Sequence, residues 1–119
     1  MYEIFTYGRF EVDPENQDAF VETWAEFASW ASGRPGAGTI RLFRDVRNPG
    51  RFVSLGQWDS AEGVQNWKSS PEFKERLGRL VKLAEEFEPT EHVTLMSVAD
   101  GSVQAHTPPE DLEAIHAPT

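Results

Sequence analysis

The stretch Phe52–Phe73, FVSLGQWDSAEGVQNWKSSPEF, decides how this chain is read. It predicts a buried strand running into Trp58, a tight capped turn, a short helix carrying Trp67, and the start of another helix. Asp59 stands where it can cap the short helix, with Glu62 three residues on as its capping-box partner. Ser70-Pro71-Glu72 reads as a cap, a first-turn proline and an acid. Two indoles bracket the corner, and large rings at a strand-to-helix corner can wall a pocket for a flat organic molecule.

Upstream, Tyr2–Val12 is rich in β-branched and aromatic residues and predicts a strand with rings on both faces, as expected of a sheet covered on both sides. Asp13-Pro14-Glu15 opens a helix whose stripe is Phe20, Trp24, Phe27, Ala28 and Ala31, and Gly33-Arg34-Pro35-Gly36 stops it. Thr39–Asp45 and Arg51–Trp58, joined through Asn48-Pro49-Gly50, form a hairpin. Downstream of Ser70, the stripe Phe73, Leu77, Leu80, Val81, Ala84 and Phe87 predicts a long helix ended by Pro89. His92–Val98 is then the last strand. The order β-α-β-β-α-β is the split pattern of a ferredoxin-like α+β fold, a four-stranded antiparallel sheet with helices on one face. The other face draws on Phe5, Tyr7, Phe43, Val53, Leu55 and Met96, too apolar to leave in water, and a second copy laid sheet to sheet would cover it.

At 119 residues the chain is one domain, spanning 1–98, followed by an acidic, proline-containing tail at 99–119 with a candidate short helix at 108–116. With 39% hydrophobic residues and four Trp it can bury a real core. The absence of cysteine removes disulfides, thiolate metal sites and cysteine nucleophiles together. A net charge of -9 argues against nucleic acid and against anionic membrane as partners. No apolar run is long enough to span a bilayer, and Met1 leads at once into an amphipathic strand, so the expected compartment is the cytoplasm.

The element order, the corner Trp58-Asp59-Ser60-Ala61-Glu62 and the run Asn66-Trp67-Lys68-Ser69-Ser70-Pro71-Glu72-Phe73 together resemble the antibiotic biosynthesis monooxygenase family over about residues 2–98. The resemblance implies a homodimeric α+β barrel. It also implies a cofactor-independent monooxygenase that oxidises a polycyclic aromatic or quinol-like metabolite with molecular oxygen, with no metal or flavin. The alternative is a non-catalytic barrel that binds haem or another small ligand. One branch of the family degrades haem, and Trp67 matches its pocket tryptophan. Leu77 stands where that branch has histidine, however, and residues 1–12 contain no asparagine. The polyketide-oxidising branch is similar at Trp67 and Phe73, although Gly63 stands where that branch has asparagine.

On this reading Trp67 and Asn66 are the candidate catalytic residues. Trp58, Phe73 and Leu77 are candidate walls of the substrate site, Ser54 and Asn66 candidate donors to an oxyanion, and Arg41 a candidate partner for a substrate anion. Each has a plainer role open to it: core packing for Trp58 and Trp67, a solvated helix face for Asn66, an interface position for Arg41. Tyr7 reads as a ring at the dimer face and His92 as a strand histidine. The spacing of His106 and His116 fits no usual zinc pattern.

Overall fold

The computed structural model of this protein describes residues 3–107. The expected helix at 108–116 lies outside the described residues. Strand β1 (Ile4–Glu11) leads through a single 3-10 turn at Pro14–Asn16 into helix α1 (Gln17–Ser32). Strands β2 (Ala37–Arg44) and β3 (Arg51–Trp58) form the expected hairpin. Helices α2 (Ala61–Lys68) and α3 (Pro71–Val81) follow, then β4 (Glu86–Val93), β5 (Met96–Ala99) and β6 (Ser102–Ala105). The main sheet is antiparallel in the order β2-β3-β1-β4, which is the ferredoxin-like arrangement, and β5 and β6 form a separate two-stranded ribbon.

Alternation along the strands sorts the side chains onto two faces. Ile4, Phe10, Phe52 and Trp58 are buried beneath the helices, whose contribution includes Phe20, Phe27, Ala31, Val64 and Leu80. Each fully buried large side chain contributes about 1.5–3 kcal/mol. A run of rings fixes the register of this layer: Phe87 stacks on Phe10 at 4.7 Å, Phe10 meets Phe20 at 4.9 Å, and Phe20 meets Phe52 at 5.0 Å. The opposite face carries Phe5, Tyr7, Val53 and Leu55, half-buried, with Phe43 exposed.

Three local expectations are corrected. Ser60, not Asp59, caps α2: its backbone is extended and its hydroxyl accepts from the Gly63 amide at 2.9 Å. Helix α3 ends at Val81, and Ala84 and Phe87 lie beyond it. Phe87 instead enters β4 opposite Phe10, and Pro89 sits within that strand opposite Gly8. Because β4 is an edge strand, it tolerates a residue without an N–H. The last strand expected at His92–Val98 is therefore split between β4 and β5, and Met96 belongs to the ribbon rather than the main sheet. Residues 99–105, expected in the tail, complete that ribbon through a turn in which Asp100 (φ 51°) and Gly101 (φ 75°) are both left-handed.

At the rim of the outer face Arg51 donates to the Glu11 carboxylate at 2.7 Å, and Arg9 bonds the same oxygen. The Arg51 bond holds the Glu11 carboxyl below its ordinary value, partly opposed by desolvation and reinforced by Arg9. A depressed carboxylate stabilises the fold above its unfolded-state pKa, and that contribution is lost as pH falls through the folded-state value. Glu11→Gln is accordingly expected to cost up to about 1 kcal/mol at neutral pH. The deficit should shrink as pH drops below the usual carboxylate range, read as thermal midpoints across a pH series. At the other end of the sheet, Ser60→Ala is expected to cost about 1 kcal/mol in denaturant titration. Asp59→Ala should cost less, because Ser60 holds the capping position.

Candidate functional site

Four elements each bring one ring to the corner that follows β3. Trp58 closes β3 and is 1% exposed; its indole Nε1 donates to the Thr6 hydroxyl at 3.3 Å. Gly56 makes room for that bond, since a Cβ there would stand 2.8 Å from the Thr6 oxygen. Trp67, in the last turn of α2, lies on Trp58 with centroids 4.8 Å apart and planes inclined by 32°. Phe73, in the first turn of α3, meets Trp67 edge-on at 4.7 Å, and Phe27 of α1 meets Trp67 at 5.8 Å. Ser70 sets the angle between the two helices: its hydroxyl accepts from the Phe73 amide at 3.2 Å and donates to the Trp67 carbonyl at 2.8 Å.

Under these rings the sheet presents small side chains, and a hollow results. Thr6, Gly8 and Ser54 form its floor, Phe27, Trp67, Phe73 and Leu77 its roof, and Phe10, Phe87 and Pro89 one wall. The water-accessible interior is about 60 Å3, and the empty space including the mouth is about 440 Å3. Such an interior holds a few waters or one six-membered ring, since a single water needs roughly 10–15 Å3 by this measure. A tricyclic guest would require the walls to part.

Most of the lining is apolar, and its polar groups are few. Ser54 accepts from Trp24 Nε1 at 2.9 Å, which leaves its own hydroxyl proton to give. The Trp67 indole Nε1 is buried and has no hydrogen-bond partner, on a residue only 8% exposed. Leaving a buried donor unpaired costs about 1–3 kcal/mol, so this N–H is a standing demand for an acceptor. The remaining charged lining residues, Lys68 and Glu91, bond each other across the wall.

Of the residues singled out from sequence, Trp67, Phe73, Leu77 and Ser54 meet at this hollow. Trp58 does not line it; it backs Trp67 and borders a wider groove of about 580 Å3 beside Gly36–Thr39 and His106. Asn66 is exposed and outside the lining, because adjacent helix positions point about 100° apart and Trp67 takes the inward one. Arg41 is exposed on the other face of the sheet, opposite Leu55, and cannot meet an anion in this hollow. His92 lies on that other face too, bonded to Thr90 and edge-on to Tyr7. Among the described residues no cluster of His, Asp and Glu suits a metal ion, and no helix is long and apolar enough to cross a membrane. Sequence reasoning missed Thr6, Phe27, Phe87, Lys68 and Glu91 as lining. Alternation along β4 would have found Glu91, which shares the inward face with Phe87 and Val93.

The sequence profile of the antibiotic biosynthesis monooxygenases matches residues 4–77. No curated protein sequence matches the chain significantly. Among solved structures, SnoaB from Streptomyces nogalater, a cofactor-independent oxygenase determined as a point mutant, superposes with a TM-score of 0.69 at 20% identity, covering 76% of this chain and 90% of its own. A conserved protein from Methanosarcina mazei gives 0.69 at 18% identity, covering 79% and 92%. A protein from Deinococcus radiodurans, provisionally assigned as an antibiotic biosynthesis monooxygenase, gives 0.69 at 16%, covering 75% and 89%. At these identities the superpositions speak for the fold, and the profile match over more than half of the chain carries the kinship: this protein belongs to the antibiotic biosynthesis monooxygenase family.

Proposed function

We propose that this protein is a cofactor-independent monooxygenase that oxidises an electron-rich monocyclic phenol or quinol with molecular oxygen. The observation that carries this reading is a largely apolar hollow sized for one ring and lined by Trp67, whose buried Nε1–H has no partner. The aromatic roof takes the flat face of the substrate, and the indole N–H donates a hydrogen bond to its oxygen as negative charge gathers there. A phenolate is electron-rich enough to reduce oxygen itself. Carbon–oxygen bond formation at the position para to the phenolate gives a hydroperoxide. Loss of water then leaves the quinone, so one phenol and one O2 become one quinone and one water. All four electrons come from the substrate, which is why no redox cofactor is needed. The role left to the chain is to hold the ring, favour its anion and keep bulk water from the peroxide.

The hollow fits a single ring better than the polycycle expected from the resemblance, and no histidine lines it to ligate haem. With oxygen uptake followed in metal-free, flavin-free buffer, methoxyphenols and substituted hydroquinones should be consumed above their autoxidation rate, with one O2 taken up per quinone formed from the phenols. Trp67→Phe should lower kcat/KM by about 100-fold, the loss expected for one oxyanion donor. Absence of any protein-dependent uptake across that panel would overturn the reading.

A homodimer belongs to the same proposal. Tyr7, Val53 and Leu55 with exposed Phe43 make an apolar sheet face, and the ribbon adds Met96, Val98 and Val103, each more than 60% exposed. A second copy laid face to face would cover both. Light scattering should give twice the chain mass, and Leu55→Arg, a charge placed in the middle of that face, should raise the dimer dissociation constant at least tenfold. A monomer at micromolar concentration would refute the pairing.

A further inference from the structure

We propose that Lys68 and Glu91 are the acid–base pair of the hollow, and that together they make it take up neutral phenols in preference to permanent anions. This rests on the reading of the hollow as a phenol site. Lys68 is the last residue of α2 and Glu91 lies on the inward face of β4; their side chains are only 17% and 14% exposed and they bond each other at the wall. A glutamate at an inward strand position beside Val93, in a lining of rings and hydroxyls, is an expensive choice. Replacing a buried ion pair by apolar residues is often neutral or stabilising, so packing alone gives no reason to keep it. The pair also stands where the substrate's oxygen needs a cation and its proton needs an acceptor.

The charge count sets the selectivity. Lys68 and Glu91 sum to zero, and the one other titratable residue bordering the hollow, Tyr7 of β1, turns its ring to the opposite face against His92; α1 contributes Phe27, and α3 Phe73 and Leu77. An anion entering intact would leave a net negative charge in a low-dielectric site, which is costly. A neutral phenol does not. Its O–H bond breaks, the proton forms a new O–H bond on the Glu91 carboxylate, and the phenolate oxygen takes over Lys68 as its cation. The hollow stays neutral throughout. Phenolate is thus generated only inside the hollow, beside the Trp67 N–H.

4-Nitrophenol tests this without turnover, because it is too electron-poor to reduce oxygen and its phenolate has its own absorption band. At a pH just below the dye's solution pKa, dye bound to the wild-type protein should show the phenolate band. Its affinity should fall about tenfold per pH unit above that pKa, since the neutral form is what enters. In Glu91→Gln, Lys68 is left without its countercharge and the preference should invert: affinity rises with pH, and benzoate, which the wild type excludes, binds. The double variant K68M/E91L carries no unpaired charge, so its fold should survive, checked by near-ultraviolet circular dichroism, and its bound dye should remain the neutral phenol. The proposal is overturned if wild-type affinity rises with pH, if bound dye stays neutral, if Glu91→Gln keeps the wild-type profile, or if no dye binds. Failure of oxygen uptake with the dye behaviour intact would sink the monooxygenase reading and leave this assignment standing; the reverse combination would do the opposite.

Discussion

The stacking of Trp67 on Trp58 is the contact on which the site depends. Trp58 cannot shift, because it ends the central hairpin, is fully buried, and is tied by its indole to Thr6 on the neighbouring strand. Helix α2 has eight residues, too few to be stable alone, so its position is set by what it buries, chiefly Val64 and Trp67. Fixing Trp67 against a strand thereby fixes the end of α2, the Ser70 corner and the first turn of α3 that carries Phe73. The hollow follows from the mismatch beneath. Large rings from three helices span a part of the sheet where β1 and β3 offer Thr6, Gly8 and Ser54. Gly8 is held small by its neighbours, since an added Cβ would come within 3.3 Å of the Phe10 and Phe87 rings.

The same alternation that builds the inner face leaves the outer one apolar, and the two faces divide the labour. Inside, rings pack tightly except at the hollow. Outside, Tyr7, Val53 and Leu55 sit among ion pairs at the rim, with Arg9 bridging Glu11, Glu86 and Glu88. Charged rims around an apolar centre are the usual anatomy of a surface that meets another copy. Ribbon β5–β6 leaves the body at Thr94, whose amide bonds the Glu3 carbonyl at 3.1 Å. It closes on itself where His106 bonds Ser97 at 2.9 Å, and it keeps its own apolar residues in the open.

Where sequence and structure agree, several local signals point the same way. The hairpin at 37–58 combines alternation with an Asn-Pro-Gly turn, and α3 begins where cap, proline and acid coincide. The reading fails where two periods overlap. Leu80, Ala84 and Phe87 continue a helical stripe, while Phe87, Glu91 and Val93 also fit a strand. Tertiary packing decides between them, because Phe87 buries its ring only opposite Phe10 in the sheet. A strand-internal proline argues for a helix end until the strand is known to be an edge. The Asp100-Gly101 turn was legible as a hairpin signal, but it lies in a stretch whose prolines and acids read as tail. The site was half legible for a similar reason. Trp67, Phe73 and Leu77 lie on predicted helix faces, whereas Glu91 needed the correct position of β4, and Lys68 needed the knowledge that α2 ends against it. Asn66 was a neighbour in sequence only.

Two costs are concentrated at one place. An unpaired indole N–H and a nearly buried ion pair border the same hollow, in a domain small enough that a few kcal/mol matter to its stability. Away from the hollow the fully buried side chains are apolar and the buried indole of Trp58 finds an acceptor, while Arg34 Nε and His106 Nδ1 are buried without one. At the hollow, each becomes favourable when a guest supplies the missing partner. An acceptor oxygen on an aromatic ring satisfies both at once, meeting the indole donor and offering the ammonium a second anion. That coincidence ties the chemistry to residues at the end of α2, and it makes the small volume of the hollow an asset, since a guest filling it leaves no room for water to compete for those same donors.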